Sequence, residues 1–179
     1  MLSSQIVPLK LCADHIQTVR SHAERSYPHE CCGLLLGVIQ PQEKILVEVR
    51  AVQNAWDEQV ATDLGDQPSL TKTRRYWIAP EEMLAAMRDA RSRKLDVIGV
   101  YHSHPDQPAV PSECDRQLAW QQYSYIIVSV QQGKAADLQS WLLNENHQFQ
   151  REETLIITPY SLTPAPYPLS PIHIVNRIT

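Results

Sequence analysis

Apolar positions along this chain follow two periods, and their alternation lays out an α/β fold. Residues 12–26 place Ile16, Val19 and Ala23 on one stripe, the spacing of an amphipathic helix. Residues 7–11, just ahead, read as a short first strand. Residues 30–39 and 44–53 predict an antiparallel pair of strands turned around Gln40-Pro41-Gln42-Glu43. Pro80 opens a second predicted helix over residues 80–93, with Met83, Leu84, Met87 and Ala90 facing inward. The β-branched run at residues 96–103 predicts a buried strand, and a short helix follows from Ser112. Residues 125–130 and 136–143 pair around Gln131-Gln132-Gly133-Lys134, and residues 148–157 add one or two edge strands. The pattern predicts an α/β sandwich.

Two stretches break the pattern. Residues 55–74 are polar, aperiodic and too long for a plain connection, so they predict either a flap beside a site or a disordered excursion. Residues 159–179 carry Pro159, Pro164, Pro166, Pro168 and Pro171, which exclude ordinary helix or central strand. Ile172, Ile174, Val175 and Ile178 would still give that tail something to bury. The expected organisation is one domain over residues 1–158 and a proline-rich tail over 159–179.

Composition narrows the classes. A chain of 179 residues suits a single core. Its net charge of −4 and scattered basic residues argue against a nucleic-acid partner. The basic cluster at residues 88–94 falls on a predicted amphipathic helix, where a solvated face explains it. No apolar run reaches membrane-span length, and the first residues lack the basic and apolar regions of a signal peptide, so the expected location is the cytoplasm. Cys31 and Cys32 would point to opposite faces of a strand and make poor partners for each other. Cys114 lies between Ser112 and Asp115, either as a thiolate competing for metal or as a small buried residue of the helix.

The candidate chemistry sits at His102-Ser103-His104-Pro105. Side chains two apart on a strand share a face, so both imidazoles point the same way. Ser112 and Asp115 follow as Ser-x-x-Asp ahead of an apolar-periodic stretch, a capping box with Ser112 as the N-cap. That capping reading suffices by itself. It is also compatible with Asp115 projecting as an anionic third ligand from a helix N-terminus. Two imidazoles and a carboxylate are the protein ligands of a catalytic zinc site with a fourth position open. Asp106 is the competing carboxylate, expected on an exposed loop. His15, His22, His29, His147 and His173 have no partner spacing and are expected to be ordinary residues. The same donor set also serves non-haem iron oxygenases, which would give Glu30 and Ser112 no task. Zinc nucleobase deaminases need a Cys-x-x-Cys that is missing here.

The pattern His-Ser-His-Pro, with seven residues between His104 and Ser112 (Pro105 to Pro111), then Ser-x-x-Asp resembles the signature of the JAMM (MPN-plus) metalloproteases. Tyr27-Pro28-His29-Glu30-Cys31-Cys32-Gly33 is similar to that family's proline-x-glutamate-x-cysteine-glycine segment. The resemblance covers roughly residues 7 to 157 and looks like the stand-alone bacterial type. It implies a cytidine-deaminase-like sandwich, a curved mixed sheet flanked by helices, with zinc held by His102, His104 and Asp115. It further implies Glu30 as general acid/base and Ser112 as a donor to the oxyanion. The implied reaction is hydrolysis of peptide or isopeptide bonds at the C-terminus of a ubiquitin-like or sulfur-carrier protein, and a homodimer is compatible with it. RadC-like relatives share only the His-x-His-Pro core. The competing class is an MPN scaffold subunit, but such subunits typically lack metal ligands that this chain retains.

Overall fold

The computed structural model describes residues 7–65 and 70–158. Twelve elements follow in order among them: β1 (Leu9–Leu11), α1 (Ala13–Ser26), β2 (Cys32–Gln40), β3 (Glu43–Val52), α2 (Glu58–Asp63), α3 (Pro80–Ser92), β4 (Asp96–Pro105), α4 (Glu113–Leu118), β5 (Ser124–Gln131), β6 (Lys134–Leu143), β7 (Phe149–Arg151) and β8 (Thr154–Ile156). The strands form one mixed sheet in the order β7-β6-β5-β4-β2-β3-β1-β8. β4 lies between antiparallel β2 and parallel β5 at the centre. β5 comes close at the start of the pairing, since a Cβ on Gly99 would stand 2.2 Å from the carbonyl oxygen of Ser124.

Helices cover both faces of this curved sheet, as expected. Val19 and Ala23 of α1 join Leu35, Ile98 and Tyr101 in one apolar cluster. Ala86 and Ala90 of α3 join Leu34, Leu36 and Val100 in another. The inward stripe of α3 differs from the expected one. Ala86 and Ala90 make the close contact, Met83 and Met87 are half-buried, and Leu84 is 48% exposed. Two alanines four apart let the helix seat closely and rotate Leu84 out of the core.

β7 and β8 lie at opposite edges of the strand order, yet only Glu152 and Glu153 separate them. The sheet therefore curls until its edges approach. Glu152 is buried at that seam, where its carboxylate accepts from Ser140 Oγ at 2.6 Å and Ser124 Oγ at 2.8 Å. Buried Lys44 donates to Ser124 Oγ at 3.0 Å and stands 3.5 Å from the same carboxylate. Burial raises the Glu152 pKa and lowers that of Lys44, and their pairing opposes both shifts.

The stretch at residues 55–74 is structured where it is described. Buried Trp56 donates from Nε1 to the Leu70 carbonyl at 2.8 Å, and Asp57 caps α2 through Val60 N–H at 2.9 Å. A disordered excursion is excluded for those residues. The tail at 159–179 lies outside the described residues.

Candidate metal centre and cleft

β4 runs to Pro105, two residues beyond the expected end, because its parallel register with β5 continues to Val130. That extension holds His104 in regular strand geometry, so His102 and His104 share a face. Their Nε2 atoms are 3.0 Å apart. Asp115 reaches them from α4, with Oδ1 3.3 Å from His102 Nε2 and Oδ2 3.7 Å from His104 Nε2. Ser112 is the N-cap, and its hydroxyl accepts from Asp115 N–H at 3.2 Å. Asp115 Oδ2 in return accepts from the Ser112 amide at 2.6 Å and hydroxyl at 2.7 Å. The cap and the candidate ligand are thus one arrangement, as both sequence readings allowed.

The loop joining the histidines to Ser112 is clipped at successive residues. Asp106, at φ 54°, accepts from Tyr27 Oη at 2.9 Å and Gln132 N–H at 2.8 Å. Ser129 Oγ donates to the Gln107 carbonyl at 2.7 Å, and Trp141 Nε1 donates to that of Ala109 at 3.1 Å. His104 Nδ1 meets the Pro108 carbonyl at 2.9 Å. A proton on Nδ1 satisfies that contact and leaves Nε2 free as a ligand. Asp106 is occupied on the exposed loop and takes no part in the cluster.

The donor set fits a divalent cation. Among the described residues, one nitrogen each from His102 and His104 and one Asp115 oxygen lie within 4.8 Å of one another. Zinc bonds of about 2.0–2.1 Å at tetrahedral angles place ligand atoms roughly 3.3 Å apart, close to the spacings found here. His102 Nδ1 is buried without a hydrogen-bond partner, and its ring instead stacks on Tyr76 with centroids 4.4 Å apart. Burial pushes the Asp115 carboxyl up, but His102, His104 and Ser112 outweigh it and hold it well below the usual range. Asp115 is therefore anionic at neutral pH. Burial also pulls His104 down, and the Asp115 and Glu30 carboxylates more than reverse it, whereas for His102 burial prevails.

Glu30 is buried beside this cluster and lines the same cleft. It lies just ahead of β2, which begins at Cys32 instead of the expected Glu30, because its amide bonds the Lys72 carbonyl at 2.7 Å outside the sheet ladder. Burial raises its pKa to about 8, with opposing attraction from His104. His29, its neighbour, is exposed, and neither it nor His15, His22 or His147 joins the cluster. His22 bonds Tyr101 Oη at 2.8 Å instead.

A groove of about 650 Å³ leads to these groups. Its apolar wall includes Trp77, Ile78, Met83, Leu84, Leu118 and Trp120, of which Trp120 is 57% exposed. Leu84 is thus a groove residue, which accounts for its departure from the core stripe. Cys114 is half-buried and lines the groove, so it is not the buried helix residue that one sequence reading expected. Sequence reasoning missed Tyr76, whose role depends on a ring contact across the fold. Its only cue was an aromatic pair closing the polar stretch at residues 55–74.

Residues 12–144 match the family described as prokaryotic homologs of the JAB domain. A Desampylase of Haloferax volcanii is 32% identical over 126 residues, covering 68% of this chain and 80% of that protein. A Desampylase of Pyrococcus furiosus is 25% identical over 127 residues, covering 71% and 76%. A Desulfitobacterium hafniense protein solved in solution is 26% identical, with a TM-score of 0.67 over 83% of this chain and 92% of that one. With sequence, fold and donor cluster in agreement, this chain belongs to the prokaryotic JAB family.

Proposed function

We propose that this protein is a zinc-dependent hydrolase of amide or isopeptide bonds at the C-terminus of a ubiquitin-like or sulfur-carrier protein. The observation that carries this reading is the convergence of the His102, His104 and Asp115 donor atoms in a cleft also lined by Glu30 and Ser112. Kinship with two proteins named Desampylase supports a ubiquitin-like conjugate as the substrate class.

A zinc ion held by the three donors supplies Lewis acidity toward water and toward the scissile carbonyl. Glu30 takes the proton of the attacking water and returns it to the departing amine. Its pKa of about 8 comes mainly from burial, and a cation beside it favours the charged, basic form. The single Ser112 hydroxyl proton, which rests on Asp115 Oδ2, turns to the carbonyl oxygen as negative charge develops there, and one such donor is worth about 3 kcal/mol. The groove binds an extended, small-residue tail and buries the adjoining apolar surface of the substrate.

The test is hydrolysis of an isopeptide-linked ubiquitin-like conjugate by wild type, chelator-treated protein and Glu30→Gln. Turnover should appear only in the first and return to the second with zinc. Turnover that survives both treatments refutes the mechanism. Partner binding without turnover, unaffected by chelation, assigns the chain to the scaffold class instead.

A further inference from the structure

Asn54 lies just past the end of β3. If the register that sets Cys32 opposite Val52 ran on by two residues, Asn54 would face Glu30. The strands have parted there, and the Asn54 side chain takes the place of the ladder. Its Nδ2 donates to the carbonyls of Glu30 and Arg75, each at 3.0 Å. Its Oδ1 accepts from the amides of Trp56 at 3.0 Å and Trp77 at 3.1 Å. A side-chain amide has two donors and two acceptor lone pairs, so all four are used. Turning the amide over would set oxygen against two carbonyls, which fixes its orientation.

Three of the four partners lead to two sides of the donor cluster. Glu30 is one, and its amide is also held by the Lys72 carbonyl at 2.7 Å. Arg75 and Trp77 bracket Tyr76, whose ring stacks on His102. The neighbouring Ala55 amide donates to the Trp77 carbonyl at 2.9 Å and reinforces that pairing. Asn54 does not line the groove, so it acts through main chain alone.

We propose that Asn54 is a positioning residue that fixes Glu30 and Tyr76 relative to each other across the donor cluster. The proposal rests on the reading of Glu30 as the acid/base group. Asparagine is required at this point because aspartate keeps the two acceptors but loses both donors. A displacement of about 1 Å at an acid/base group is enough to cost roughly 100-fold in rate.

The experiment compares wild type, Asn54→Asp and Asn54→Ala in the zinc-loaded full chain. It reads amide hydrogen exchange, zinc content and the kinetics of conjugate hydrolysis. In Asn54→Asp the Glu30 amide keeps its own bond to the Lys72 carbonyl but should exchange roughly tenfold faster, because losing the bond to the Glu30 carbonyl lowers the cost of local opening by about one hydrogen bond. The Trp56 and Trp77 amides should stay protected, and so should Ile127 in the core. In both variants kcat should fall roughly 10- to 100-fold while KM moves less than about twofold and zinc is retained. A general loss of packing would instead expose the Ile127 amide and lower zinc content. Unchanged Glu30 exchange in both variants, or faster exchange with full kcat, overturns the proposal. Loss of zinc from Asn54→Asp also overturns it, because Asn54 would then build the metal site instead of placing Glu30. Wild type that hydrolyses no conjugate sinks the isopeptidase reading itself, and Asn54 falls with it. Active wild type beside fully active variants sinks only the role of Asn54.

Discussion

Ser112 and Asp115 hold each other in both directions: the Ser112 hydroxyl and amide both reach Asp115 Oδ2, and the Asp115 amide reaches back to the Ser112 hydroxyl. One helix cap therefore orients a carboxylate toward two histidines. Ser112→Ala removes the cap, the carboxylate's hydroxyl donor and the proposed oxyanion donor together. Stability should fall by about 1 kcal/mol, and kcat by roughly 100-fold or more. Urea denaturation beside steady-state kinetics separates the two effects. A variant that loses stability but keeps full kcat would reduce Ser112 to a cap.

Metal content should follow the donor atoms. Elemental analysis of wild type should give about one zinc per chain. His104→Ala and Asp115→Ala should lose it, while Glu30→Gln keeps the metal and loses turnover. Iron in wild type would point to oxygenase chemistry, and Glu30→Gln without metal would make Glu30 a ligand.

The stability of the metal-free protein should depend on pH through Glu30. Its folded-state pKa is raised from 4.5 to about 8, chiefly by burial. A raised pKa means that the folded state holds the proton more tightly. The contribution is complete below the unfolded value and is lost as pH rises through about 8. Within that window the loss reaches at most about 1.4 kcal/mol per pH unit. Metal-free Glu30→Gln should lack this component. Urea denaturation with chelator at mildly acidic and mildly alkaline pH measures it, and parallel profiles for the two proteins would contradict the assignment.

The seam of the sheet should be sensitive to one-sided change. Lys44→Met leaves Glu152 buried without its cation and should cost about 3–5 kcal/mol. Adding Glu152→Leu should recover much of that loss, since an apolar pair removes the unmatched charge. Additive costs in the double variant would show that the two residues act independently.

Trp120 stands exposed on the groove wall. Trp120→Ala should raise KM by roughly tenfold and leave kcat nearly unchanged, the signature of lost uniform binding. A fall in kcat at constant KM would instead place Trp120 in transition-state binding.

Local geometry made much of this protein readable in its residues. The two-residue spacing of His102 and His104 sets them on one strand face, and the Ser-x-x-Asp spacing sets a cap on α4, because backbone repeats dictate both. Helices α1, α3 and α4 and the hairpins followed from the same short-range periods, α2 in the aperiodic stretch at residues 55–74 did not, and kinship with JAMM enzymes added Glu30. Distant pairings were different. Nothing near Asn54 announces that its amide will meet Glu30, Arg75, Trp56 and Trp77, nor does Tyr76 announce its stacking on His102. Glu152 at the sheet seam and Leu84 on the groove wall are of the same kind. Those places were decided by sheet curvature and by the need to satisfy buried polar groups, which pair residues far apart in the chain only once the whole fold has closed.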